Sequence, residues 1–264
     1  MVLITGFWPY VSENVFSNIS WGLYNKGFWE NVLVEAHGLV FEILVLGVIL
    51  LWLDSRRQKN ENIRKNIESL WDINFLSEPE FIGRKLGNLK RLNDAGVNNI
   101  NVTNLLLKNV EVKGIIFNKS KIFGIKFVSC RLFDVNFIEC KMNSCNFSRS
   151  VFKRCKLSNS YLKSANFSES KMIGLDLKKS NLLRANFISA NLESADLREA
   201  NLERVTFKDA SLKNANIKHC KNIDLAELAK AKNLNYLKAD LNIIQDLRIL
   251  RPDMKQNIRN NIVS

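Results

Sequence analysis

Three patterns of apolar positions succeed one another along the chain, and each predicts a different element. From Leu33 to Leu53 the residues are apolar except for Glu35, His37 and Glu42, and Ile43 to Leu53 carries no polar side chain. About 20 such residues, rising about 1.5 Å each, cross the hydrocarbon core of a bilayer as a helix. A buried helix of a soluble domain is the alternative, but the flanks speak for a membrane. Trp21, Trp29 and Trp52 lie near the two ends, where interfacial aromatic residues belong, and Arg56, Arg57, Lys59, Arg64 and Lys65 follow at once. Lys26 is the sole basic residue ahead of the span, so the positive-inside rule places the tail 1–32 outside and everything after the span 33–53 in the cytoplasm. A signal peptide fits less well, because the run starts late, lacks a basic leader and is followed by charge instead of small residues. The Asn18-Ile19-Ser20 triplet is read as a chance glycosylation match.

Over residues 54–97 the apolar positions take helical spacing. Ile63, Ile67, Leu70 and Trp71 mark one helix. A second is expected to begin near Ser77, where Ser77-Glu78-Pro79-Glu80 offers a cap, an early proline and an acidic first turn; it carries Phe81, Ile82, Leu86, Leu89 and Leu92 and stops at Gly96. From Val102 to Ile217 the period becomes five: every fifth residue is Val, Leu, Ile, Phe or Met, about 24 times without a slip. A helix needs spacings of three and four and a strand needs two, so this segment is neither. It predicts a solenoid over 98–222, of roughly six coils with four units each. Stacking residues twenty apart gives one face reading Leu107, Phe127, Phe147, Phe167, Phe187 and Phe207, with coils about 4.8 Å apart. No proline falls between Pro79 and Pro252, as ladder hydrogen bonding requires. Solenoids need covered ends, so 54–97 is expected to cap the first coil and 223–264 to form a C-terminal helical cap.

Read from Ala185 the units run ANFIS ANLES ADLRE ANLER VTFKD ASLKN ANIKH, with CKLSN, CNFSR and CRLFD upstream in the same frame. This resembles the pentapeptide-repeat family, whose consensus is A(D/N)LXX. The resemblance implies a β-solenoid wound as a right-handed quadrilateral β-helix, in which the central residue and the one two before it face the axis. The stretches WLDSRRQK and GNLKRLNDAGV resemble a recurrent membrane-anchored bacterial architecture with these repeats, which implies a single-pass protein of the bacterial inner membrane. IDLAELAKAKNLNYLKADL is similar to the short helical cap that follows repeats in such proteins.

The five cysteines raise the question of metal or redox chemistry, and their positions answer it. Cys130, Cys140, Cys145, Cys155 and Cys220 each fall two residues before a central position, where Ala or Ser stands elsewhere. Buried free cysteine acts as a small apolar side chain, and the spacings with only His37 and His219 available match no zinc pattern. There is no phosphate-binding glycine loop, nucleophile elbow or metalloprotease motif. The chain is therefore read as no enzyme, with no catalytic residue, cofactor or metal.

Charge alters the choice among relatives. Some members of the resembled family imitate duplex DNA and bind DNA gyrase through an acidic surface, whereas the net charge here is +13, of the opposite sign. The face centred on Val102, Ile122, Met142, Leu162, Leu182 and Leu202 displays Lys121, Lys141, Lys163, Arg184 and Arg204 against Glu203 alone. Anionic lipid or another anionic partner is the candidate ligand, and a plain solvated face is the alternative. Nucleic acid is disfavoured, on the reading that no stacking aromatic residues interleave with the charges.

Two further surfaces are candidates. On the second coil Phe123, Val128, Phe133 and Ile138 each follow a central residue, where neighbouring coils carry mostly polar groups. This apolar girdle is either covered by the preceding helices or docks a partner. Within the span, Asn31, Glu35, Gly38 and Glu42 recur at four, three and four and share one helical stripe. A lone carboxylate deep in hydrocarbon is costly, so the stripe is either a seam between helices of an oligomer or, toward its outer end, simply interfacial. The reading that joins these features is a membrane-anchored cytoplasmic scaffold for protein–protein interaction, with the bilayer, an unidentified protein and a further copy of the chain as partners. The alternative is an oligomerising membrane effector, forming a pore or signalling assembly in a stress or phage-defence module; DNA mimicry against gyrase ranks below both.

Overall fold

The computed structural model describes Tyr10 and residues 26–256, which fall into two compact units, one ending at Glu61 and one starting at Asn62. Trp21, the glycosylation triplet and most of the tail 1–32 lie outside the described residues, as do residues 257–264 of the C-terminal segment and the side chains of Trp29 and His37.

Helix α1 spans Lys26–Ile73. In the first unit its apolar side chains from Leu39 through Leu53 are almost all exposed, with none of the described residues covering them. It is the one helix among the described residues long and apolar enough to cross a membrane. Past Leu53 the same helix turns polar and is held by side chains on one face: Arg57 pairs with Asp54 at 3.1 Å and Gln58 donates to Asp54 at 2.8 Å.

In the second unit, Ile63, Ile67, Leu70 and Ile73 bring the end of α1 onto the core, followed by α2, Pro79–Asp94. Glu78, not Ser77, is the N-cap of α2, and it makes no side-chain capping bond; Pro79 and Glu80 take the expected first-turn positions. The first turn thus rests on proline's fixed φ and an acidic side chain in place of a hydroxyl cap. Gly96 ends the helix at φ +86°, with Val97 N–H donating to Leu92 C=O at 2.8 Å and Gly96 N–H to Asn93 C=O at 2.8 Å, the paired bonds of a Schellman stop.

The repeats form a parallel ladder with a register of twenty. Strand β1 (Leu106–Lys108) pairs with β3 (Lys126–Val128), and β2 (Glu111–Lys113) with β4 (Arg131–Phe133) and then β5 (Val151–Lys153). Single parallel bridges carry the same register to Asn201 and Lys221. Every central residue from Val102 to Ile217 is buried. Between units the chain turns tightly: Ala165 N–H donates to Leu162 C=O at 3.0 Å while Ser164 sits at φ +56°. Such turns favour Gly or Asn at that position. Here Lys, Arg, Glu and Ser occupy it repeatedly, held by ladder bonds such as Ser164 N–H to Leu183 C=O of the next coil at 2.8 Å.

Phe147, Phe167, Phe187 and Phe207 stack nearly parallel, with ring centroids 5.3, 5.1 and 5.7 Å apart. Phe127 meets Phe147 edge-on at 89°, where Phe137 of the adjoining face crowds both rings.

Both ends of the ladder are closed. At the start, Asn74 Nδ2 donates to Thr103 C=O at 2.8 Å, Lys85 Nζ to Leu106 C=O at 2.8 Å and to Leu76 C=O, and Asn93 bonds Ile116 through both N–H and C=O at 2.8 and 2.9 Å. These backbone groups would otherwise form an open sheet edge. At the far end the ladder continues beyond residue 222, inside the segment read as a helical cap: Ser211 pairs with Asn233 and Asn216 with Lys238. The short helix α3 (Leu225–Leu228), capped by the Asp224 carboxylate, replaces one unit and shifts the register from twenty to twenty-two. Helix α4 (Leu241–Leu250) follows, and Arg251 donates to Ala229 C=O at 2.9 Å to secure it.

Candidate functional site

The cysteines occupy the column that serine shares. Ser150 Oγ donates to Phe127 C=O at 2.7 Å, 23 residues back, and Cys130, Cys145 and Cys155 donate to Leu107, Ile122 and Leu132 C=O with the same offset at 3.4, 3.3 and 3.4 Å. All five are free thiols. Burial pushes Cys140, Cys145 and Cys220 up to about 12, despite the backbone hydrogen bonds that act the other way. Groups of three or more metal-ligating side chains do not occur among the described residues.

The girdle lies partly open. Phe123 is 37% exposed, and Val128, Phe133 and Ile138 are half-buried. The cap helices reach Thr103, Leu106 and Ile116 of the first coil, one level short of it. Lys153 places its ammonium 5.2 Å from the Phe133 ring centre, a cation resting on the girdle from the next coil.

Charge is arranged differently on the four faces. Ion pairs between residues twenty apart run up three of them: Lys119 with Glu139 at 3.9 Å, Arg149 with Glu169 at 3.2 Å, Arg154 with Asp134 at 2.6 Å, Lys179 with Glu199 at 3.5 Å and Lys213 with Glu193 at 3.0 Å. The two-pronged bond from Arg154 holds the Asp134 carboxyl below its ordinary range. The fourth face is the basic one, and its Lys121, Lys141, Lys163, Arg184 and Arg204 are all exposed with no ion pair among the described residues. They do not form one column. Lys121 and Lys141 are bridge partners just before the central position, Lys163 stands just after it, and Arg184 and Arg204 sit at the turn.

The basic face also holds two aromatic side chains, one of them, Phe123, shared with the girdle. Tyr161 continues the Lys121–Lys141 column as the next bridge partner and is 52% exposed, and Phe123 stands beside Lys121. The signal that finds Tyr161 is the register of twenty applied to the outward position before the central residue, where the chain reads Lys121, Lys141, Tyr161, Asn181, Asn201 and Lys221.

On α1, Asn31, Glu35, Gly38 and Glu42 are exposed, and at about 100° per residue they fall within about 60° of one another. A Cβ on Gly38 would meet nothing within 4 Å, leaving that side open to a close neighbour. Glu35 and Glu42 have no ion pair among the described residues.

A ladder with a register of twenty, an apolar residue every fifth place and small inward residues between them defines a β-solenoid of five-residue units. The sequence profile described as Pentapeptide repeats matches residues 130–168, 145–182, 160–198 and 185–221, with eight copies. Residues 130–221 thus match the pentapeptide-repeat family, whose members fold as right-handed quadrilateral β-helices. Among solved structures it is similar to HetL, a pentapeptide repeat protein involved in heterocyst differentiation regulation in the cyanobacterium Nostoc, at 22% identity over 57% of this chain and 70% of that one, with a TM-score of 0.25. It is similar to QnrB1, a plasmid-mediated fluoroquinolone resistance protein, at 15% identity over 60% of this chain and 90% of that one, with a TM-score of 0.30. A pentapeptide repeat protein of the Arabidopsis thaliana thylakoid lumen matches at 22% identity over 44% of this chain and 77% of that one, with a TM-score of 0.25. No curated protein matches the chain significantly in sequence.

Proposed function

We propose that the chain is a membrane-tethered interaction scaffold without enzymatic activity, its coils closing as the right-handed four-sided helix of its family. The exposed apolar stretch of α1 is the tether, and the basic residues from Arg56 to Lys65 favour a cytoplasmic solenoid in a bacterial inner membrane. The observation that carries the reading is the girdle: apolar side chains ring one coil and stay partly open after both ends of the ladder have been closed. Apolar groups so placed lower the free energy when a protein surface covers them. Crosslinking and co-purification from native membranes test this. Wild type should recover a defined protein, and Phe123→Asp with Phe133→Asp should lose it while remaining membrane-inserted and folded, because burying charge in an apolar contact is strongly unfavourable. Recovery of the same partner by the double variant sinks the reading.

Glu42 favours a second reading, an oligomerising membrane effector. Its carboxylate lies in the apolar stretch with no ion pair among the described residues, and a neighbouring helix would shield it. Glu42→Leu should then change self-crosslinking or membrane permeability and leave the partner recovery unchanged.

A further inference from the structure

One cation stands on the basic face at each of six successive coil levels: Lys121, Lys141, Lys163, Arg184, Arg204 and Lys221. Coils stack at about 4.8 Å, so the file extends over roughly 24 Å. From Lys121 to Arg204, Glu203 is the one acidic residue on this face; Asp224, at the level of Lys221, caps α3, and Glu199 at the corner is paired with Lys179 at 3.5 Å. Staggered across the face but one to a level, these unpaired cations match a linear polyanion better than a broad lipid sheet, which favours a wide patch.

The aromatic and amide groups narrow the ligand further. Tyr161 presents its ring in the file directly after Lys141, with Lys163 across the same unit. Next to that ring an open cleft is lined by Asn159, Asn181, Asn201 and Lys221, and also by the ion-paired Lys179 and Glu199. Asn181 Oδ1 accepts from Leu183 N–H at 3.1 Å, and Asn201 Oδ1 accepts from Glu203 N–H at 3.2 Å and from Asn222 Nδ2 at 2.9 Å. The side-chain oxygens of Asn181 and Asn201 are thereby committed within the protein, and their two Nδ2 groups remain as donors with no partner among the described residues. Donors beside an exposed ring suit the carbonyls and ring nitrogens of an unstacked base, while the cations suit its phosphates. A lipid surface uses neither the ring face nor the amides in this way.

We propose that this face binds single-stranded nucleic acid, with Tyr161 as a stacking platform, the amide-lined cleft beside it holding a base, and the cations from Lys121 to Lys221 tracking the backbone. The site is separate from the test of the girdle, since neither Tyr161 nor the cleft belongs to it.

The test is fluorescence anisotropy of a labelled oligothymidylate of about 30 nucleotides with the full chain in a neutral detergent. Wild type should bind, and affinity should fall with salt at a log–log slope of about −0.7 per cation engaged. Tyr161→Ala should weaken binding about tenfold at unchanged slope. Tyr161→Phe should bind as wild type does, because the ring and not the hydroxyl stacks. Lys141→Gln with Lys163→Gln should flatten the slope by about 1.4. All of these side chains point outward, and circular dichroism should show an unaltered fold. Absence of binding at low salt, equal loss in Tyr161→Phe and Tyr161→Ala, or competition by duplex as strong as by single strand overturns the assignment. A face that responds only to phosphatidylglycerol vesicles also overturns it and makes the surface one for lipid headgroups.

Discussion

Residue by residue, the period of five separates inward from outward positions, and the inward column two places before each centre shows why cysteine is tolerated there. Serine and cysteine both donate to the carbonyl 23 residues back, so Cys145 repeats the contact that Ser150 makes on the next face. Cys145→Ser should leave stability within about 1 kcal/mol of wild type, and the native thiols should resist alkylation near pH 8 until the chain is unfolded, because burial holds the Cys140 and Cys145 thiols near 12. Rapid native-state labelling of Cys145 would refute the packing role. Phe167 lies in mid-stack between Phe147 and Phe187 and is fully buried. Phe167→Ala should lower stability by about 3 to 5 kcal/mol through lost burial and a cavity, as read by denaturant unfolding. These inward positions were legible in the sequence because a strict period survives any local propensity. Tyr161 is legible only when the same register of twenty is applied to the outward position before each centre, because its neighbours in sequence give no sign that it shares a column with Lys121 and Lys141.

Among the elements, the end closures are the part that the period does not encode. Asn74, Lys85 and Asn93 reach backbone groups 21 to 29 residues away, and the only sequence trace is a set of polar residues on otherwise apolar helix faces. The far closure was hidden for a related reason: α3 inserts two residues, so Asn233 and Lys238 fall out of frame although they continue the ladder. Lys85 is fully buried, and burial lowers it from 10.5 to about 8, with the charge of Glu78 acting the other way. Between about pH 8 and 10.5 the unfolded chain therefore holds a proton at this site that the folded chain does not, so this residue's contribution to stability rises with pH through that window. Lys85→Met removes the titration. The difference in stability between wild type and Lys85→Met should shift in favour of wild type as pH is raised from 7 to 10, as measured by urea unfolding at each pH. A difference independent of pH would show that the amine is solvated in the native state.

For the molecule as a whole, the division at Glu61 and Asn62 marks where the chain stops depending on its surroundings. Before it, α1 exposes an apolar stretch that no described residue covers; after it, Ile63 and Ile67 already rest on the solenoid core, Leu70 is buried in it, and Asn74, Lys85 and Asn93 satisfy the first coil. A fragment of residues 62–264 should therefore be soluble without detergent, monomeric by light scattering and rich in β-structure by circular dichroism, while the full chain requires detergent or lipid. Starting the fragment at Asn98 should have the opposite result, because it strips the cover from Thr103, Leu106 and Ile116 and exposes their unpaired backbone groups as a template for another chain's edge. That shorter fragment should aggregate or associate end to end. If both fragments behave as soluble monomers, the helices are dispensable and the ladder closes its own first edge; if the longer one fails to fold without the apolar stretch, the two units depend on one another and the tether is part of the fold.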